Sequence, residues 1–599
     1  MFRSQFFRNR LTIHFLTLFL TAVFAANATR GGTVVPSEDW EDDYDPIASP
    51  DAVVGGEVKI ALGPYPSSFN AITNYTYQSI TVFNLLFDTL MDNDPISLEW
   101  RPKIADKIEV SDDKLEFTVY LNPNARWSDG EPITSADFKF TLDTIMDPNN
   151  IVGPWRNAYQ EFEDPVIIDD HTFSIRATEL HWRNLNAIAG FVLLPKHYFQ
   201  GKDFNKQNFE FPVVSGRYEL VEIKEGISIR FDRRDDWWLE DQKRYQGVSN
   251  FQSIEYRFYP DRELVFESFM KGEVDLFTQL TATIWSERAK GEPFEKNWIV
   301  KQAVYNKEPV PYQGFAINMR RAPYDDKRVR QALCHLLDRE RINETMMHGH
   351  YFLLQSYATE LYGEDNPNPN PAYDFNPEKA RKLLAEAGWK VDPSDGKLKK
   401  DGKPFVINFL LRAPEWSKYL VVYQEALKDV GIDMEIKMTD WAGWTKEMDE
   451  FNFEMTLEAW GVPVFRDPEG AWHSKQANEK GGNNHSGLQS PEVDALIEKQ
   501  KSVFDVSERN DILRQIDAIV YDEVPMVLAW MVDYKRLFYW NKFGMPDTVL
   551  DKYNDEEAAY HYWWIDPDQE ADLENAMATG EALPPRPSKV YFEEMYHGE

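Results

Sequence analysis

Cys334 is the single cysteine among 599 residues, so no intramolecular disulfide can brace the chain and its cores must hold it together. Positive charge is scarce too. Lys and Arg total 65 against 100 Asp and Glu, a formal net charge of −35, and such a surface repels phosphate backbones and anionic lipids. That argues against nucleic-acid and membrane-surface roles. Beyond the N-terminus no run approaches the roughly 20 apolar residues that span a bilayer, so the mature chain reads as soluble and not membrane-embedded. The motifs of several enzymes are also missing: there is no GxSxG, no HExxH and no complete Walker A loop, which counts against a secreted hydrolase. Paired carboxylates are too abundant here to discriminate anything. Neither a repeat of fixed period nor a low-complexity tract is present.

What is present is core material: 43% of residues are hydrophobic and 14% aromatic, with 19 tryptophans. At the N-terminus Arg3, Arg8 and Arg10 precede the apolar run LTIHFLTLFLTAVFA and the small residues before Ala28. This predicts a secretory signal peptide over 1–28, hence export, and no cysteine near the cut that could carry a lipid anchor. The following stretch, SEDWEDDYDPIASPD, predicts an acidic flexible leader over 29–52.

Downstream the patterning is mixed α and β. GGEVKIALG alternates as a strand, and DKLEFTVYLNP places Leu115, Phe117, Val119 and Leu121 on one face. Thr134 and Asp137 form a capping pair before a helix. Glu225-Gly226 marks the turn of a hairpin, and RELVFESFMKGEVDLF predicts a helix stopped at Gly272 and followed by a short strand. GFAIN predicts a strand and KRVRQALCHLLD a helix, whose Val329, Ala332, Leu333, Leu336 and Leu337 recur at 3.6-residue spacing. Cys334 sits at the edge of that stripe. His335 is expected on the polar face with Arg328 and Gln331, so thiol and imidazole diverge and a packed, inert thiol is the reading.

GFAINMRRAPYDDKRVRQALCHLLDRERI resembles the hallmark strand and helix of the extracellular solute-binding proteins, family 5, which serve oligopeptide, dipeptide and nickel ABC importers. LFDTLMDNDP, FTVYLNPNARWSDGEPITSADFKFTLD, SGRYELVEIKEGISIRFDRRDDWW, DFNPEKARKLLAEAGW and ALKDVGIDMEIKMTDWAGW extend the likeness over nearly all the mature chain. DPEGAWHSKQANEKGGNNHSGLQSPEVDALIEK and HYWWIDPDQEADL look like the Yej-type subgroup, associated with oligopeptides and the peptide-nucleotide microcin C.

The resemblance implies an α/β, two-lobed periplasmic binding protein, type II and cluster C-like, with an extra subdomain inserted near the N-terminus. It places lobe 1 at 53–90, 226–309 and 526–599, the insertion at 91–225 and lobe 2 at 310–525. It further implies a monomer without cofactor or catalysis, holding an oligopeptide or peptide-like solute and passing it to an inner-membrane ABC permease with its ATPase. The family's amine-clamping aspartate follows a tryptophan that Trp460 matches, but its position falls near Pro463 and Val464. Arg466, Asp467 and Glu469 are the nearest charged candidates, with a solvated loop as the alternative. Asn483, Asn484 and His485 form a polar loop that either approaches the ligand or simply turns. Asn318 and Arg320 could reach the cleft mouth, while Tyr65 and Arg412 are expected as an aromatic shelf and a carboxylate partner. A second cargo class, a metal chelate such as nickel, is motivated by His348-Gly349-His350.

Overall fold

The computed structural model describes residues 32–597; the expected signal peptide lies outside them. The chain divides into two compact units, one holding the leader up to Asp45 together with Pro64–Gln246, the other holding Pro46–Gly63 and Gly247 onward.

The first unit is built on an antiparallel sheet. Its strands run in the order Thr33–Val35, Ala105–Val110, Glu116–Leu121, Thr172–Arg176 and Val166–Asp169. Phe117, Val119 and Leu121 are buried, as their alternation requires. Helix Ser135–Met146 opens with the Thr134/Asp137 capping box, and its Phe138 stacks on Phe173 with ring centroids 4.0 Å apart. The expected hairpin joins Tyr218–Lys224 to Ser228–Arg233 through Gly226, whose φ of 72° suits a residue without a side chain.

One expectation needs correction here: the acidic leader is not a loose tether. Thr33–Val35 pairs with Ala105–Val110 at the sheet edge. Asp42 is ion-paired with Arg244, Asp45 lies 3.4 Å from Arg101, and the Arg244 guanidinium covers the Trp40 ring at 5.5 Å. Charges that looked like solvating excess are spent on basic partners far along the chain.

The second unit carries two large sheets beside three small ones. The large sheets draw on β1 (Glu57–Ala61), β2 (Ser253–Arg257), β3 (Leu276–Thr278), β4 (Ile299–Tyr305), β5 (Tyr312–Ile317) and β6 (Val406–Leu411). There follow β7 (Asp433–Met438), β8 (Met455–Trp460), β9 (Met526–Leu528), β10 (Lys535–Trp540) and β11 (Lys589–Tyr591). In one sheet these strands lie in the order β11-β4-β10-β3-β1-β2, in the other β7-β6-β8-β5-β9. In the second sheet β6 runs parallel to both β7 and β8, and β5 runs antiparallel to β8 and β9. The chain crosses between the sheets after β4 and returns after β9, which leaves two lobes with separate cores. Phe266, Phe269, Phe277, Trp285 and Phe538 center one core; Phe315, Leu333, Phe409, Leu420 and Tyr423 center the other. Each such side chain contributes roughly 1.5–3 kcal/mol on burial.

The expected helix after Met270 stops as foreseen: α1 (Arg262–Met270) ends before Gly272, at φ 74°. Helix α2 (Lys327–Cys334) is capped by Asp326, whose side chain accepts from the Arg328 amide. Cys334 is buried, and burial pushes its thiol up to about 12, so an inert packed thiol is what the structure contains. His335 departs from expectation. The helix ends at Cys334, four residues before the expected end at Asp338, and His335 is buried with Nδ1 2.8 Å from the Asp374 carbonyl oxygen instead of lying on a polar face.

Candidate functional site

Parallel strands that end at one edge of a sheet make a natural ligand platform, because the following loops and helix N-termini converge there. In the second lobe that edge carries three elements. Arg412 immediately follows β6, Trp460 closes β8, and β7 leads into helix α3 (Trp441–Asp449), capped by Asp440 through a 2.7 Å bond from the Gly443 amide.

Spacing of i and i+3 brings Trp441 and Trp444 together on α3, with ring centroids 5.4 Å apart and planes at 27°. Trp444 is buried and anchored, its Nε1 donating to Thr456 Oγ1 at 2.8 Å. Trp441 is 58% exposed. The Arg412 guanidinium lies against both rings, 4.5 Å and 4.9 Å from their centroids. It makes no hydrogen bond and no ion pair among the described residues, and its Nε is buried without a partner. Burial holds its pKa below the ordinary arginine range, while Glu415 and Glu458 pull it back up. A guanidinium with its donors unspent, held on an aromatic base, is a ready anion site.

Beside it, the alternation of β8 puts Glu458 and Trp460 on the same side. Trp460 Nε1 donates to Glu458 Oε2 at 2.9 Å, and His485 Nδ1 meets Glu458 Oε1 at 2.7 Å. The His485 ring lies 5.4 Å from Trp460 and 6.3 Å from Trp444. Three of the residues singled out in the sequence, Arg412, Trp460 and His485, thus meet at one edge.

Other candidates hold that edge in place. Arg320 donates to the His485 carbonyl at 2.7 Å, to the Asn484 carbonyl at 2.9 Å and to the Ala477 carbonyl; burial lowers its pKa to about 10. Asn318 is fully buried and donates to the carbonyls of Phe451 and Phe453, both at 3.0 Å. Asn484 closes the loop on itself, accepting from the amides of Gly487 and Leu488 at 3.0 Å and donating to the Leu488 carbonyl at 2.9 Å. Asn483 is exposed.

The charged trio after Trp460 is engaged elsewhere. Arg466 is ion-paired with Glu360 and donates to the Tyr357 carbonyl at 2.6 Å. Asp467 accepts from the Glu469 amide at 3.1 Å and from Gln500 at 3.3 Å, and Glu469 is buried against Lys501 at 3.0 Å. Tyr65 belongs to the other unit, where it stacks on Phe209 at 5.9 Å. The His348 and His350 rings are 6.3 Å apart; His348 Nε2 faces a Glu287 carboxylate oxygen at 3.4 Å, and burial, then the fields of Arg536, His348 and Lys301, lower the His350 pKa.

Glu458, Trp441 and Trp444 were not anticipated from the sequence. The only signal lay in LEAW and TDWAGW, where acid and indole recur at strand and helix spacings next to strand ends.

The chain matches the family model "Bacterial extracellular solute-binding proteins, family 5 Middle" over residues 99–482. A probable peptide-binding protein, YejA, from Agrobacterium fabrum is 24% identical, across 89% of this chain and 94% of that one. Among solved structures, the oligopeptide-binding protein AppA from Bacillus subtilis in complex with a nonapeptide superposes with a TM-score of 0.72 at 22% identity, over 86% of this chain and 100% of that one. NikZ from Campylobacter jejuni in complex with Ni(L-His) gives 0.69 at 20% identity, over 85% and 99%. These likenesses agree with the two-lobed mixed α/β fold described above.

Proposed function

The chain belongs to the bacterial extracellular solute-binding proteins of family 5, and from that premise we propose that it captures oligopeptides or peptide-like solutes between the lobes of its second unit for an ABC importer. The carrying observation is Arg412: a guanidinium at the strand-end edge, stacked on two indoles, with no protein acceptor among the described residues. A peptide carboxylate supplies the missing acceptor, bidentately and with charge. Trp441 and Trp460 offer flat apolar surface that tolerates varied side chains, as a carrier of many sequences needs.

Capture works by closure: the lobes exclude water around the guest, which strengthens each polar contact, and the closed form is populated because the guest binds it better than the open one. No bond is broken, so the protein is a carrier and not an enzyme. Export to the periplasm fits the N-terminal sequence, and among the described residues no helix is long and apolar enough to cross a membrane. The partners are a membrane permease and its ATPase, with the carrier acting as a monomer. A metal chelate, motivated by the neighboring His348 and His350 rings, is the second cargo class.

Calorimetric titration with alanine oligomers, with a nickel–histidine chelate and with buffer separates these cargoes. Heat with the peptides alone is the expected result; heat with the chelate alone would replace this reading by the metal one.

A further inference from the structure

Glu458 is 4% exposed, and a buried carboxylate is costly unless donors satisfy it. It has two. The indole nitrogen of Trp460 can only donate, and does so to Oε2 at 2.9 Å. The carboxylate can only accept, so the His485 nitrogen facing Oε1 at 2.7 Å carries the hydrogen. In the neutral ring that leaves Nε2 as a lone-pair acceptor, its tautomer dictated by the bond on the other side. No hydrogen bond among the described residues engages that Nε2. The ring itself is not free to turn: Arg320 binds its backbone carbonyl, and the Trp460 and Trp444 rings flank it. Arg412 also rests on Trp444. One indole is therefore in contact with a group that can only donate and with a group that is set to accept.

We infer that His485 Nε2 is a prearranged acceptor for a ligand N–H, held in that tautomer by Glu458. This rests on the carrier reading above and narrows its guest to molecules that present both an N–H donor for His485 and an anionic group for Arg412, the two residues that share Trp444. Free peptides with ammonium or amide hydrogens and a carboxylate are of this class; molecules with fully substituted nitrogens are not. Glu458 is a positioning residue, acting through the imidazole.

Two measurements test this. Nitrogen-15 spectra of histidine-labelled, ligand-free protein, with His485 assigned by its loss in His485→Phe, are expected to show the Nδ1–H tautomer. In Glu458→Gln, where the amide can donate to Nδ1, the ring is expected to switch to Nε2–H. An Nε2–H ring in the unaltered protein overturns the inference, and this readout needs no ligand. Second, the affinities of alanine oligomers of three to nine residues are compared with those of the same oligomers methylated at every nitrogen. One neutral hydrogen bond is worth about tenfold, so the preference for the unmethylated series should shrink about tenfold in His485→Phe while the Arg412 contact persists. An unchanged preference overturns the inference and leaves the peptide reading intact. Binding of neither series by the unaltered protein overturns the peptide reading itself and the guest class with it.

Discussion

Replacing Arg412 by leucine separates binding from folding in one step. The guanidinium has no protein acceptor to lose; it gives up only its contacts with Trp441 and Trp444, together worth about 1–2 kcal/mol. Leucine returns apolar contact with the same rings and removes the desolvation that lowers the arginine pKa. The two effects nearly offset, so unfolding stability should change by no more than about 1 kcal/mol in urea titrations. Binding is different. A desolvated carboxylate left without its cation costs about 2–5 kcal/mol, which is roughly 30-fold to several thousand-fold in Kd. Isothermal titration with a bound alanine oligomer reads this directly. Affinity within twofold of the unaltered protein would refute the site, and lost affinity accompanied by a collapse of stability would refute the claim that Arg412 is unspent in the fold.

Three further outcomes follow from groups that the fold encloses wholly or in part. Cys334 should resist iodoacetamide in the native protein near neutral pH and react only after denaturation, since burial pushes its thiol to about 12; rapid native labelling would contradict that burial. Asp517 accepts from the Tyr357 amide at 2.7 Å, from the Ser356 and Tyr362 hydroxyls at 2.9 Å and from Asn370 at 3.0 Å. Asp517→Ala, which strands these donors, should cost at least about 3 kcal/mol, read from the urea midpoint. Glu556 is held up at about 8 by burial, with Asp555 adding to it. The folded protein therefore binds this proton more tightly than the unfolded chain, so stability is full below the ordinary glutamate range and is lost as pH rises through about 8. Glu556→Gln should flatten that loss, leaving stability at acid pH little changed; an unaltered slope between pH 5 and pH 9 would contradict the assignment.

Much of the framework was legible before any coordinates because it is written in local periodicity. Phe117, Val119 and Leu121 alternate because a half-buried strand demands it, Thr134 and Asp137 cap because the pair closes on itself, and Gly226 and Gly272 mark stops that need positive φ. What remained hidden depends on partners distant in the chain. Asp42 and Asp45 read as solvating charge until Arg244 and Arg101 came to meet them. Arg466, Asp467 and Glu469 follow Trp460 in sequence, yet the loop carries them away to Glu360, Gln500 and Lys501. Arg412 and His485 lie far apart in the chain, and only the fold brings both against Trp444. Glu458 looked like one more acid in an acidic chain, and only its burial between Trp460 and His485 sets it apart.

The central claim is that this protein holds a small peptide and releases it unaltered. Incubation with a defined peptide mixture, followed by native mass spectrometry of the complex and of the ligand freed from it, tests that most directly. The account predicts retained peptides of unchanged mass, missing when Arg412 is replaced by leucine. Retention of nothing, or recovery of shortened peptides, would contradict it.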